Sequence, residues 1–215
     1  GLGFEGWLGR LVEATGFEGP VVVASDGVRT QTMDEDGEKV TDPHAWQSLK
    51  NGLLYVHNIE AGLCKVDPDG CAVYAANAKA YAAEITALNN QVIARIDSVP
   101  VSLRKVITTH DAFGYFGRAY GVAFLAPEGV STDSEASAAD VGRLIEQVRA
   151  DGVKALFLEN MSDGRLLEQI SRETGASVGG ELYADALSEP DQGAATYLDM
   201  FRHNIDLLVP AMAGK

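Results

Sequence analysis

Hydrophobic positions fall into two regimes along the chain. Up to about residue 97 they recur mainly three and four residues apart, and beyond residue 98 they form short apolar runs alternating with helical stretches. In the first regime, residues 3–15 read as an amphipathic helix, and "GPVVVAS" at 19–25 reads as a short buried strand bounded by glycine and serine. Residues 26–42, "DGVRTQTMDEDGEKVTD", are polar, glycine-punctuated and aperiodic, which predicts a long surface loop. Regular structure resumes at "TDPHAW". There Asp42 suits an N-cap and Pro43 the first helical position, and Trp46, Leu49, Leu53, Leu54 and Val56 make an apolar stripe. After the turn sequence "DPDG", a second helix is expected from about Cys71 to Asp97, carried by Tyr74, Ala78, Tyr81, Ile85, Leu88, Val92 and Ile96. At 1.5 Å per residue it would be about 39 Å long, enough to span a two-lobed molecule.

From Ser98 the pattern becomes "KVITT", "GYFGRAYG", "VAFLAP", "SAADVGRLIEQVRADG", "VKALFLEN", "SDGRLLEQISRETG", "SVGGEL" and "AATYLDMFRHNIDLLVPAM". Short strands alternating with helices predict an α/β fold with a parallel or mostly parallel sheet flanked by helices. In such sheets ligands gather beyond the carboxyl ends of the strands. Three donor residues fall at element edges: His110 after "KVITT", His44 just after Asp42-Pro43, and Asp185 in "GELYADALSEP". Singly, each has a plain structural reading as a hydrogen-bonded strand-end histidine, an early helical residue and a turn cap. For His44, the positive end of the expected helix disfavours imidazolium and keeps the ring in the neutral form a metal requires. Two imidazoles and a carboxylate suit zinc, and manganese or iron less well, leaving a tetrahedral shell one donor short. Glu159 ends "VKALFLE" and reads either as a group orienting a ligand or as a solvated carboxylate. His57 and His203 lie inside helical patterns and read as structural or surface residues.

Composition narrows the partners. The formal net charge is -14, from 17 Lys+Arg against 31 Asp+Glu, which disfavours binding to nucleic acid or anionic lipid, for which a basic face would be needed, and makes cations the more natural partners. No run approaches the 18 apolar residues of a membrane span. Cys64 and Cys71 flank "KVDPDG" with six residues between them, unlike a CxxC motif, so they are either free or joined in a local disulfide of an oxidising compartment.

Taken together, "GLGFEGWL", "DPHAW", "DPDGCAVYAANAKAY", "THDAFGYF", "YGV", "LFLEN", "YADALS" and "TYLDMFRHN" resemble, in order, the cluster A-I metal-binding proteins. These are the zinc- and manganese-specific solute-binding components of ABC importers. The resemblance implies two α/β lobes bridged by one long helix: residues 1–70 as the remainder of an N-terminal lobe, 71–98 as the linking helix and 99–215 as the C-terminal lobe. It implies metal held by His44, His110 and Asp185, with the histidine at position 110 closer to the zinc group than the glutamate of many manganese-specific members. A monomer that captures Zn(II), or Mn(II), outside the cytoplasm and hands it to a membrane permease follows, with no catalysis and no nucleic acid involved. A metal-dependent hydrolase using the same residues, with Glu159 as base, and a surface adhesin are the alternatives. Family members carry a further N-terminal strand-helix-strand with a first ligand histidine, so the resemblance implies an N-terminally truncated chain. The histidine-rich loop of many zinc-specific members is replaced by the acidic residues Asp34, Glu35, Asp36 and Glu38, which could collect cations weakly.

Overall fold

The structure is a computed structural model, which describes residues 1–35, 38–125, 138–160 and 165–214. Helix α1 (Leu8–Thr15) is shorter than the pattern predicts because the residues before it form turns, and none of its side chains is buried. "GPVVVAS" is not the buried strand its composition predicts. No strand pairs with it among the described residues, and Val21, Val22 and Val23 remain exposed. β-branched residues favour a pleated surface only where a neighbouring strand supplies one. The segment instead crosses the helix that follows, with Val22 seated over Gly62 and the Asn58 amide donating to the Ala24 and Asp26 carbonyls.

The stretch 26–42 is not loop throughout. It contains an antiparallel hairpin, β1 (Thr32–Glu35) and β2 (Glu38–Thr41), with Thr32 opposite Thr41 and Met33 opposite Val40. The sequence Asp36-Gly37 between them, outside the described residues, is a dipeptide that two-residue hairpin connections favour. The helix expected at Pro43 begins later, as α2 (Leu49–Val66). Asp42 accepts the His44 backbone N–H across a tight turn, a single 3-10 turn covers Ala45–Gln47, and Ser48 is extended before α2 starts. Cys64 near the end of α2 is disulfide-bonded to Cys71, the first residue of α3 (Cys71–Asp97), whose 27 residues match the predicted helix. Only its second half is buried, through Ile85, Leu88, Val92 and Ile96.

The second half carries the sheet. Its elements are β3 (Lys105–Ile107), α4 (Gly114–Tyr120), β4 (Ala123–Leu125), α5 (Ala138–Asp151), β5 (Ala155–Glu159), α6 (Arg165–Thr174), β6 (Ser177–Leu182) and α7 (Tyr197–Met212). The strands are ordered β4-β3-β5-β6 and every pair is parallel, as alternation of strands with helices requires. Ala126, Pro127, Ser137 and residues 162–164, which the pattern attached to these elements, lie outside the described residues. One face of the sheet packs against α3, α4 and α7 through Val106, Phe116, Phe157 and Phe201, and the other against α5 and α6 through Ile107, Leu144, Leu156 and Ile170. The long helix α3 touches α2 on one side and α4 and α7 on the other, joining the helical first half to the sheet. The carboxyl ends of β3, β5 and β6 therefore open together.

Candidate metal centre

His110 lies three residues beyond β3, Glu159 is the last residue of β5, and Asp185 lies three residues beyond β6. The parallel sheet thus brings three titratable groups to one rim. His44 comes from the first half, at the head of the 3-10 turn, and is nearly inaccessible. One ligand atom each from His44, His110 and Asp185 lie within 4.8 Å of one another. The Nε2 atom of His110 is 3.1 Å from one carboxylate oxygen of Asp185, and the Nε2 atom of His44 is 3.5 Å from the other. An ion held tetrahedrally at the 2.0–2.2 Å typical of zinc needs donors about 3.4 Å apart, so these separations fit one ion with small adjustment.

Each imidazole is backed by its own carboxylate on the far side of the ring. Asp42 Oδ1 is 2.8 Å from His44 Nδ1, and Glu159 Oε2 is 2.5 Å from His110 Nδ1. The second contact is close but poorly aligned for a hydrogen bond, so it acts as an ion pair. Glu159 is fixed by other means: its Oε1 accepts the His110 backbone N–H and the Thr109 hydroxyl, each at 2.8 Å. Both carboxylates are 1% exposed, which removes the reading of Glu159 as solvated. A carboxylate at Nδ1 selects the tautomer whose lone pair is on Nε2, facing Asp185, and raises the basicity of the donor nitrogen. No α-helix begins at His44, so no helix dipole acts on its ring; what Asp42 does is fix which ring nitrogen faces Asp185.

Burial pulls the His110 pKa down, but the hydrogen bond it donates to Asp185 and the charges of Glu159 and Asp185 outweigh it and raise it to about 10. Burial likewise pushes Asp185 up, and the His110 hydrogen bond with the His44 and His110 charges overcomes it, holding the carboxyl below its usual value. A proton therefore bridges His110 and Asp185 in the metal-free protein. Neighbouring Asp111 is raised, chiefly by burial and then by the Asp42 charge. His203, on α7, hydrogen-bonds the Glu181 carbonyl instead, and His57 is exposed on α2.

Sequence reasoning did not find the residues that hold the rim together. Trp46 Nε1 and Gln47 Nε2 both donate to the Ala184 carbonyl at 2.9 Å, one residue before Asp185. The Tyr197 hydroxyl donates to the Trp46 carbonyl at 2.7 Å. No pattern in the sequence signalled these bonds, because their acceptors are backbone carbonyls far away in the chain.

A sequence profile of the family described as zinc-uptake complex component A, periplasmic (ZnuA), matches residues 1–211. The manganese-binding lipoprotein MntA of Halalkalibacterium halodurans is 33% identical over 214 residues, covering 99% of this chain and 70% of its own length. The metal ABC transporter substrate-binding lipoprotein SsaB of Streptococcus sanguinis is 29% identical over 214 residues, covering 98% and 69% respectively. Among solved structures, the periplasmic zinc binding protein TroA from Treponema pallidum superposes with a TM-score of 0.87 at 31% identity, over 99% of this chain and 78% of that one. The manganese-bound periplasmic metal binding protein from Candidatus Liberibacter asiaticus gives a TM-score of 0.80 at 30% identity, over 90% and 71%.

Proposed function

Since the chain belongs to the family of periplasmic zinc-uptake components, and so is a substrate-binding component of a metal ABC importer, we propose that it captures Zn(II) at His44, His110 and Asp185. It is not an enzyme and works outside the cytoplasmic membrane, where a Cys64–Cys71 disulfide persists. Acting as a monomer, it delivers the ion to the importer's permease.

The observation that carries the choice of residues is the convergence of two Nε2 atoms and one carboxylate, each imidazole backed by a buried acid. Imidazole donors suit zinc, whereas manganese favours carboxylate oxygen, so the nitrogen-rich set supports Zn(II) although relatives such as MntA are named for manganese. The hydrolase alternative lacks its base, because Glu159 is buried and turned onto His110.

Competition titration with Zn(II) and Mn(II) tests the reading. His110→Ala or Asp185→Ala should lower Zn(II) affinity by about a hundredfold, the upper end of what loss of a mere supporting group costs. His110→Glu should move the preference toward Mn(II). Unchanged affinity in both alanine variants would remove these residues from the site, and tighter Mn(II) than Zn(II) binding by the unaltered protein would reverse the metal.

A further inference from the structure

We propose that Gln31, at the foot of the β1–β2 hairpin, is a positioning residue for metal capture, acting on His44 through Asp42 in a pocket that Gly114 keeps open. This rests on the reading of His44 as a ligand.

Asp42 uses its Oδ1 twice, accepting the His44 backbone N–H at 2.9 Å and facing the ring Nδ1 at 2.8 Å. Its Oδ2 takes a hydrogen bond of 2.8 Å from the Gln31 side-chain amide. The amide must present its NH2 here, since its oxygen would oppose a carboxylate. Without that donor, a carboxylate 1% exposed would have one oxygen unpaired and would rotate to share Oδ1 between competing demands.

The backbone holds the same pair from behind. The Asp42 N–H donates to the Gln31 carbonyl at 2.9 Å. The Tyr115 hydroxyl donates to the Asp42 carbonyl at 3.1 Å and accepts the Gln31 N–H at 3.4 Å. Arg118, lying over the Tyr115 ring, donates to the Arg29 carbonyl at 2.8 Å. Helix α4 thus fixes the segment that carries Gln31, independently of the metal ligands. Gly114 completes the pocket: a β-carbon there would lie 2.4 Å from the Gln31 amide nitrogen and 2.8 Å from Asp42 Oδ2. Those distances leave no room for any side chain while the pair is in place.

The relay has a specific consequence for His44. With Asp42 fixed, Nδ1 is engaged by its carboxylate and Nε2 is the nitrogen turned toward Asp185 and an incoming ion. With Asp42 released, both tautomers are populated and part of the protein presents a protonated nitrogen to the metal.

The test uses Gln31→Leu, Gln31→Ala and Gly114→Ala, read by Zn(II) competition titration, by nitrogen-15 chemical shifts of the His44 ring in the metal-free protein, and by thermal melting. The expected result is an affinity loss of about tenfold, the lower end for a partner behind a metal ligand, with a shift of the His44 ring toward mixed tautomers and little change in melting temperature. The double variant Gln31→Leu/Gly114→Ala should lose no more than either single one, because both break one contact. Normal affinity and an unmixed tautomer in the folded Gln31 variants would overturn the relay, as would additive losses. His44→Ala separates the two readings: if it leaves affinity unchanged, His44 is no ligand, while the ring shifts of the metal-free Gln31 variants still decide whether Gln31 positions the imidazole.

Discussion

At the scale of single residues, the metal-free site is held by a proton, and this gives a pH dependence with a definite sign. The folded-state pKa of His110 is raised from 6.5 to about 10. Its contribution to stability is complete below pH 6.5 and is lost as pH rises toward 10. Asp185 is shifted down, so its contribution is present above the ordinary carboxylate range and is lost on acidification. The chelated protein should therefore lose melting temperature between about pH 6.5 and 9, before the tyrosines, several of them raised by burial, begin to ionise. In His110→Gln the decline over that interval should largely vanish; calorimetry with chelator present measures it, and an equal slope in both proteins would place the titrating group elsewhere. His110 and Asp185 stood out at strand ends, where a parallel sheet gathers ligands, and His44 at an expected helix start; singly each had a structural reading, and the resemblance to the metal-binding family is what grouped them as ligand candidates. The role of Asp42 was not legible, because an N-cap and a histidine-orienting carboxylate are the same residue type in the same place. Its spacing of two from His44 became informative only when the turn was seen to fold Oδ1 onto the ring.

At the scale of elements, the long helix and the parallel strands were readable, and the first half was misread where local pattern lacked its tertiary context. "GPVVVAS" has strand composition without a strand beside it, and "TMDEDGEKVT" has hairpin chemistry hidden by polar side chains. The start of α2 was placed six residues early because Pro43 fits the first turn of a helix as well as a tight turn. The cysteine pair, open on spacing alone, is a disulfide that ties α2 to α3 across the Asp67–Gly70 turn. Closing so short a loop restricts the unfolded chain by about 2 to 3 kcal/mol on the chain-entropy account. Replacing both cysteines by alanine should cost roughly that much in denaturant unfolding. Zn(II) affinity should be unchanged, since the bond lies toward the far end of α2, about 22 Å from its first residue at 1.5 Å per residue. A matching loss of affinity would mean that the helical hairpin transmits strain to His44.

At the scale of the whole molecule, the segment from Asp42 to Leu49 belongs by sequence to the first half and by contact to the second. Its Trp46 and Gln47 side chains converge on the Ala184 carbonyl, Tyr197 reaches its Trp46 carbonyl, and the Tyr120 hydroxyl accepts the Leu49 N–H at 3.2 Å. These bonds tie His44 to the half of the molecule that carries His110 and Asp185, so all three can be aligned before an ion arrives. Such alignment lowers the ordering cost of binding and slows release. The clasp on Ala184 is the part that can be loosened without touching a ligand. Trp46→Phe keeps an aromatic ring against His44, now at 5.4 Å, and removes one donor. A net 0.5–1.5 kcal/mol for a hydrogen bond corresponds to Zn(II) leaving about two to thirteen times faster. Gln47→Leu removes the other donor and should act similarly. The two donors share one acceptor, so either alone still satisfies the carbonyl, and only the double variant leaves it buried without a partner. Stopped-flow release into a chelator should therefore show a loss in the double variant larger than the sum of the single ones; strict additivity would mean that the carbonyl is not what holds Asp185 in register with the two imidazoles.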